Sequence, residues 1–177
     1  NIVISNYLNE ESQILYDRNP QHRVREVAPF LSLDSQMYPA VVDDEMVWVV
    51  DGYTTTTEYP YAQSVDLDQT VNDSQTDPNS TASDRERSAN YMRNSVKATV
   101  NAFDGSVTLY TWDTEDPILK AWSEVFPDAL QPASEISAEL MSHMRYPADY
   151  FKAQREILAT YHVTDADDFF TQQDFWQ

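Results

Sequence analysis

The clearest pattern along the chain has a period of two. Val96, Ala98, Val100 and Ala102 alternate with polar residues, and Val107 and Leu109 resume the alternation after Asp104-Gly105. Such alternation predicts a strand with one face on a core, and Asp-Gly between two such runs is a strong hairpin signal. The spacing therefore predicts a hairpin over about 91–112, with Gly105 supplying the positive φ of its turn. Two earlier runs, 38–42 and 46–50, are rich in β-branched and aromatic residues and flank Asp43-Asp44-Glu45. They read as a second antiparallel hairpin, over about 38–50, with a three-residue acidic loop; Asp51-Gly52 ends its second strand.

Elsewhere the period is helical. A short helix is expected over 7–16, before Asn19-Pro20. Val24, Val27, Ala28 and Leu31 then fall at the spacing of one buried helical face, and Pro29 ends or kinks that helix. Asp116-Pro117 is an N-cap followed by proline at the first helical position, and Ile118, Leu119, Trp122, Val125 and Phe126 form a core-facing stripe up to Pro127. Ser134 is placed to cap a helix carrying Ile136, Leu140, Met141 and Met144. Pro147 opens another with Tyr150, Phe151, Ile157, Leu158 and Tyr161, and Thr164 with Asp167 makes a near capping box around Phe169 and Phe170. Helices thus form a block over about 116–173, after the strands. Segregated strands and helices predict an α+β fold with antiparallel hairpins packed on C-terminal helices.

Residues 63–90 break both periods. They hold few apolar residues and many acids, and read as a long acidic surface loop, partly disordered. The segments on either side are too small and strand-rich to fold separately, so 1–177 is expected to be a single soluble domain. The chain begins at Asn1 rather than Met, which suggests a piece of a larger protein. Its longest apolar run, 46–50, is far short of the ~20 residues a membrane span requires.

Composition removes much of the function space. There is no cysteine, so there is no disulfide frame, thiol nucleophile, zinc knuckle or iron–sulfur site. Two glycines, Gly52 and Gly105, cannot build a phosphate-cradling loop of the GxGxxG or GxxxxGK[ST] kind. With 11 basic and 30 acidic residues the net charge is −19, and a field of that sign repels nucleic acid and anionic lipid.

Side chains that could carry chemistry are scattered. His22, His143 and His162 have no partner at metal-ligand spacing, so no metal site or cofactor is expected; His162 sits where a helix C-terminus would favour it. Asp43, Asp44 and Glu45 are adjacent, as are Asp165, Asp167 and Asp168, but these read as a hairpin tip and a first helical turn more simply than as catalytic pairs. Asp66, Asp68, Asn72, Asp73 and Asp77 could offer oxygens to calcium, yet Thr70 and the missing glycine break the EF-hand order. Trp48, Tyr53, Tyr59 and Tyr61 are the candidate ligand-binding residues, with Tyr110 and Trp112 nearby. Rings on extended segments can stack on sugars or peptides, although core packing competes for them.

Several runs resemble a bacterial membrane-protein family, uncharacterised protein family 0182. They include Ile14-Leu15-Tyr16-Asp17-Arg18-Asn19-Pro20, Val27-Ala28-Pro29-Phe30-Leu31, Tyr38-Pro39-Ala40-Val41-Val42 and Val47-Trp48-Val49-Val50-Asp51-Gly52-Tyr53-Thr54-Thr55. Further along stand Asn90-Tyr91-Met92-Arg93-Asn94-Ser95-Val96-Lys97, Phe103-Asp104-Gly105, Asp116-Pro117-Ile118-Leu119-Lys120-Ala121-Trp122, Arg145-Tyr146-Pro147 and Tyr161-His162-Val163-Thr164-Asp165. The resemblance implies a multi-pass parent with N-terminal spans and a large extracytoplasmic portion, to which this chain would belong. It implies no catalytic residues. The expected role is a non-catalytic interaction or structural domain, with the remainder of its own chain, an envelope protein or a polysaccharide as partner. The alternatives are an envelope-polymer hydrolase using Asp or Glu, marked by Asp51 or an acid of 43–45 facing a second carboxylate, and a calcium-dependent binding module.

Overall fold

A computed structural model describes residues 17–67, 70, 88–172 and 174–176. The fold is α+β. Helix α1 (Pro20–Val27) is followed by strands β1 (Ser32–Leu33), β2 (Tyr38–Val42), β3 (Glu45–Thr56) and β4 (Val65–Asp66). Then come β5 (Ser88–Ala89), β6 (Tyr91–Asn101), β7 (Val107–Thr111), α2 (Pro117–Val125) and β8 (Leu130–Pro132). A 3₁₀ turn (Ala133–Glu135) leads to α3 (Ala138–His143), α4 (Ala148–Tyr161) and α5 (Ala166–Thr171).

The main sheet runs β1-β3-β6-β7-β8, with β2 also paired to β3. Both predicted hairpins form antiparallel pairs, and β3 joins them by pairing with β6. Strand β8 pairs parallel with β7, so the sheet is mixed, which Leu130-Gln131-Pro132 gives no periodicity to foresee. The first hairpin loop has two residues, not three: Val42 faces Glu45, and Asp43 and Asp44 both have positive φ, 53° and 64°. That is the backbone of a type I′ turn, whose twist suits paired strands. Strand β3 does not stop at Gly52 either. It continues to Thr56 because β6 keeps pairing with it past a bulge that leaves Ser95 opposite no residue of β3.

The sheet is covered on both faces. Val50, Val96, Ala98, Val100 and Leu109 meet Val24, Ala28, Leu31 and Leu119 on one side. Ala40, Val42 and Val49 meet Ile136 and Leu140 on the other. Val27 and Val125 fall off the predicted stripes and are exposed. Stacked rings of Phe30, Trp122 and Phe126 fasten α2, with centroids 4.7–6.3 Å apart.

Local chemistry sets the helix ends. Asn19 accepts from the amides of Gln21 and His22 ahead of Pro20. Ser137, rather than Ser134, caps α3 by accepting from Leu140 N at 3.1 Å. Asp165, rather than Thr164, caps α5 through the amides of Asp167 and Asp168. Gly105 has φ 75°, and Arg23 donates to its carbonyl at 2.7 Å, tying the second hairpin to α1. The ends of the acidic loop are paired as β4 and β5; 68–69 and 71–87 lie outside the described residues, as does the helix expected over 7–16. Among the described residues no helix is long and apolar enough to cross a membrane.

Candidate functional site

The alternation of β6 carries more than a core stripe. Its polar positions Ser95, Lys97 and Thr99 are buried as well, because the second face of the sheet is covered. Lys97 is the direct cross-strand partner of Asp51. Its ammonium contacts the Asp51 carboxylate, donates to the Arg145 carbonyl at 3.0 Å and lies 5.2 Å from the centroid of Trp112. Asn94 donates to Asp51 at 3.0 Å. Burial pushes the Asp51 carboxyl above its ordinary pKa, with Lys97 and Asn94 pulling the other way.

Above this pair lies an open cleft of about 650 Å³ between β6, the end of β7 and the α3–α4 connection. Arg93, Lys97, Trp112, Arg145, Tyr146 and Tyr150 are among its walls. Arg93 pairs with Asp113 at 2.8 Å. Arg145 is held at its backbone: its N–H donates to the Tyr38 hydroxyl at 3.0 Å, and its carbonyl receives Lys97. Its guanidinium sits 4.5 Å from the centroid of the Tyr38 ring. Three of the chain's 11 bases thus meet at one cleft of a molecule whose net charge is −19.

A second polar cluster anchors the helix bounding the cleft. Pro147 precedes α4 and offers no side-chain acceptor, so Asp34 takes over by accepting from Asp149 N at 2.9 Å. In exchange Asp149 accepts from Ser35 N and Oγ at 2.6 and 2.7 Å. Asp34 also accepts from the Tyr53 hydroxyl and from Gln36 N. Burial first, and the Asp149 charge second, raise the Asp34 pKa. Burial and the Asp34 charge drive the Tyr53 hydroxyl far above its ordinary value, so it stays a donor. Rings of Tyr53, Tyr150 and Tyr146 stand 6.0 and 6.1 Å apart, leading from this cluster to the cleft wall.

Asp116 completes the set of buried carboxylates. It accepts from Ile118 N as the cap of α2, from Thr54 and Ser95 at 2.5 Å and from Tyr91 at 2.7 Å. Burial alone would raise its pKa, but the bonds from Ser95, Thr54, Tyr91 and Ile118 together hold it below the usual carboxylate value.

The four rings singled out in the sequence do not come together. Trp48 is half-buried against the main core. Tyr53 lies buried beneath Tyr150, and no face of it offers a platform to solvent. Tyr59 is exposed and stacked on Tyr91, and Tyr61 is wholly exposed with φ 61°. None of the four lines the cleft, whereas Trp112 does. Sequence reading missed Arg93, Lys97, Arg145, Tyr146 and Tyr150. The available signal was a lysine inside an apolar alternation, set against an aspartate inside the matching strand.

The other sequence candidates are dispersed. Asp43 and Asp44 form the hairpin tip, and Asp165 is a cap. Asp68, Asn72, Asp73 and Asp77 lie outside the described residues. His22 meets Asp17 at 2.5 Å and Glu26 at 4.0 Å, an exposed trio whose ligand atoms lie within 4.8 Å of one another. His162 caps the end of α4 and stacks on Trp176 at 3.9 Å.

Comparison with known proteins places the chain by ancestry. The model of one family, described as Uncharacterised protein family (UPF0182), matches residues 1–177. A "UPF0182 protein" of Bifidobacterium adolescentis is 56% identical over 99% of this chain and 16% of its own length. Others from an Arthrobacter species and Clavibacter michiganensis are 57% and 54% identical over 99% of the chain and 17% and 18% of their own lengths. The chain therefore spans less than a fifth of these relatives. No solved structure matches it. The chain belongs to the UPF0182 family.

Proposed function

We propose that this region is an extracytoplasmic interaction domain of a multi-pass membrane protein and that it works by contact rather than catalysis. The observation that carries the reading is an uncovered apolar face. Phe151, Leu158 and Tyr161 are exposed at the spacing of one side of α4, and Phe170 of α5 is 88% exposed. Apolar side chains grouped this way mark a surface that another polypeptide covers. The first candidate to cover it is the rest of the same chain, since the relatives are roughly six times longer than the matched region.

The buried carboxylates support contact over catalysis. Asp51 faces Lys97 rather than a second carboxylate, and Asp34, Asp116 and Asp149 are committed to helix caps and internal hydrogen bonds. The family resemblance supports the extracytoplasmic side, and a charge of −19 suits a domain held beside anionic lipid without lying on it.

Both parts can be tested on the full-length protein in its membrane. A photo-cross-linking residue at Phe151 or Leu158 is expected to capture other segments of the same chain, while one at exposed Glu124 of α2 is not. Equal capture from all three positions would remove the contact reading. A membrane-impermeant amine reagent should label Lys120 and Lys152 in intact cells; labelling only after lysis would remove the extracytoplasmic assignment.

A further inference from the structure

We propose that the cleft above Lys97 binds a sugar-sized anion, a pyranose ring bearing one carboxylate or phosphate. The inference stands on the cleft alone and does not depend on what covers α4 or on which side of a membrane the domain lies.

Charge is the first consideration. Among the described residues, Asp113 is the carboxylate lining the cleft, and Asp51 lies beneath it. Against these two stand Arg93, Lys97 and Arg145, which leaves one positive charge over. Arg93 is committed to Asp113 and Lys97 to Asp51, but no carboxylate of the described residues pairs with Arg145. Arg145 lines the cleft, and its guanidinium, 4.5 Å from the Tyr38 ring centroid, is a planar fork that fits an oxyanion. Arg145 is also preorganised, because Tyr38 and Lys97 fix its backbone on both sides.

The mean charge of the chain limits the size of the ligand. Acids outside the cleft are screened over about 8–10 Å at ordinary ionic strength. A small monoanion can reach Arg145, whereas an extended polyanion would meet the surrounding acids.

The walls define the rest of the ligand. Trp112 is 38% exposed and Tyr146 60% exposed, and aromatic faces of this kind stack on the C–H face of a sugar ring. Thr114 and the side-chain oxygen of Asn94 can serve ring hydroxyls; the Asn94 amide nitrogen is already used by Asp51 and Gly52. A volume of about 650 Å³ lies within the range of small-molecule sites.

The test is calorimetric titration of the full-length protein with glucuronic acid, glucose 1-phosphate, glucose and inorganic phosphate. At least one of the two ring anions is expected to bind at one site, with glucose at least about tenfold weaker. The tighter of the two identifies the oxyanion. Arg145→Met, which keeps an unbranched stem but removes the charge, should weaken that ligand at least about tenfold with little change in the melting temperature, and Arg145→Lys should restore part of the loss. Trp112→Ala should weaken the ring anion but not inorganic phosphate. The proposal fails if neither ring anion binds at several millimolar, if glucose binds as well as they do, or if Arg145→Met leaves binding intact. Inorganic phosphate binding as tightly as glucose 1-phosphate would overturn the sugar ring as part of the ligand.

Discussion

Lys97 and Asp51 are each about 98–99% buried, and a buried ion pair is costly to split. Removing the cation alone leaves a carboxylate in a low-dielectric layer with only Asn94 to serve it. Lys97→Met is therefore expected to cost about 3–5 kcal/mol, while Lys97→Met with Asp51→Leu should recover most of that loss. Urea denaturation of the single and double variants checks this; a double variant as unstable as Lys97→Met alone would mean that the stranded Asp51 charge is not the source of the loss. Asp116 behaves differently because its charge is favoured in the fold. Its folded pKa lies below the ordinary 3.8, so its contribution is fully present above pH 3.8 and is lost as the pH falls through the folded value. Asp116→Asn removes one acceptor from four donors and should cost about 1–3 kcal/mol near neutrality. The deficit should shrink between pH 4 and pH 3, and an unchanged deficit there would contradict the assignment. Asp34 has the opposite sign: its raised folded pKa means its burial penalty grows as the pH rises from 3.8 through the folded value.

At the scale of elements, what could be read from the sequence was whatever a local period or cap encodes. The alternation of β6, the turn at Gly105 and the Asp116-Pro117 helix start are local facts, and they are where the pattern puts them. The extent of β3 is not local, since it depends on β6 continuing to pair beyond Gly52. The parallel strand β8 has three residues, one of them proline, and takes its conformation from β7. The cleft was illegible for the same reason. Its walls come from β6, the end of β7, and the α3–α4 connection, and only the tertiary fold brings Arg93, Trp112 and Arg145 to one place. The hairpin tip gives an element-scale prediction. Asp43 and Asp44 both sit in left-handed conformations, which cost a non-glycine residue roughly 1–2 kcal/mol. Asp44→Gly should therefore raise stability by about 0.5–1 kcal/mol, or a few degrees in melting temperature, without touching the amide of Asp43 that donates to Glu139. Gly105→Ala should do the reverse, because a Cβ there is strained by φ 75° and collides with the Arg23 guanidinium. Thermal melts of both variants decide it; a neutral Gly105→Ala would mean that the turn re-forms without Arg23.

Charge acts at the scale of the whole molecule, and it acts in two directions. Thirty acids against 11 bases leave a large excess of negative charge, so the folded chain repels itself. Exposed pairs such as Lys120–Glu115, 3.6 Å apart, return little of that energy. Sodium chloride shortens the screening length from about 30 Å at 0.01 M to about 3 Å at 1 M, which weakens the repulsion more than it weakens short pairs. The melting temperature of the chain should rise across that range by about 2–4 °C, on the order of 1 kcal/mol for a chain of this size. A fall would mean that surface ion pairs outweigh the mean field. From about 0.1 M upward, where the acids outside the cleft are already screened, the cleft responds to added salt with the opposite sign, because the attraction between Arg145 and an oxyanion is weakened in turn. Salt that tightens the fold should therefore loosen the ligand. Melting temperature and ligand affinity measured along one sodium chloride series from about 0.1 M to 1 M are expected to diverge, and parallel trends would mean that binding follows overall stability rather than the local charge of the cleft.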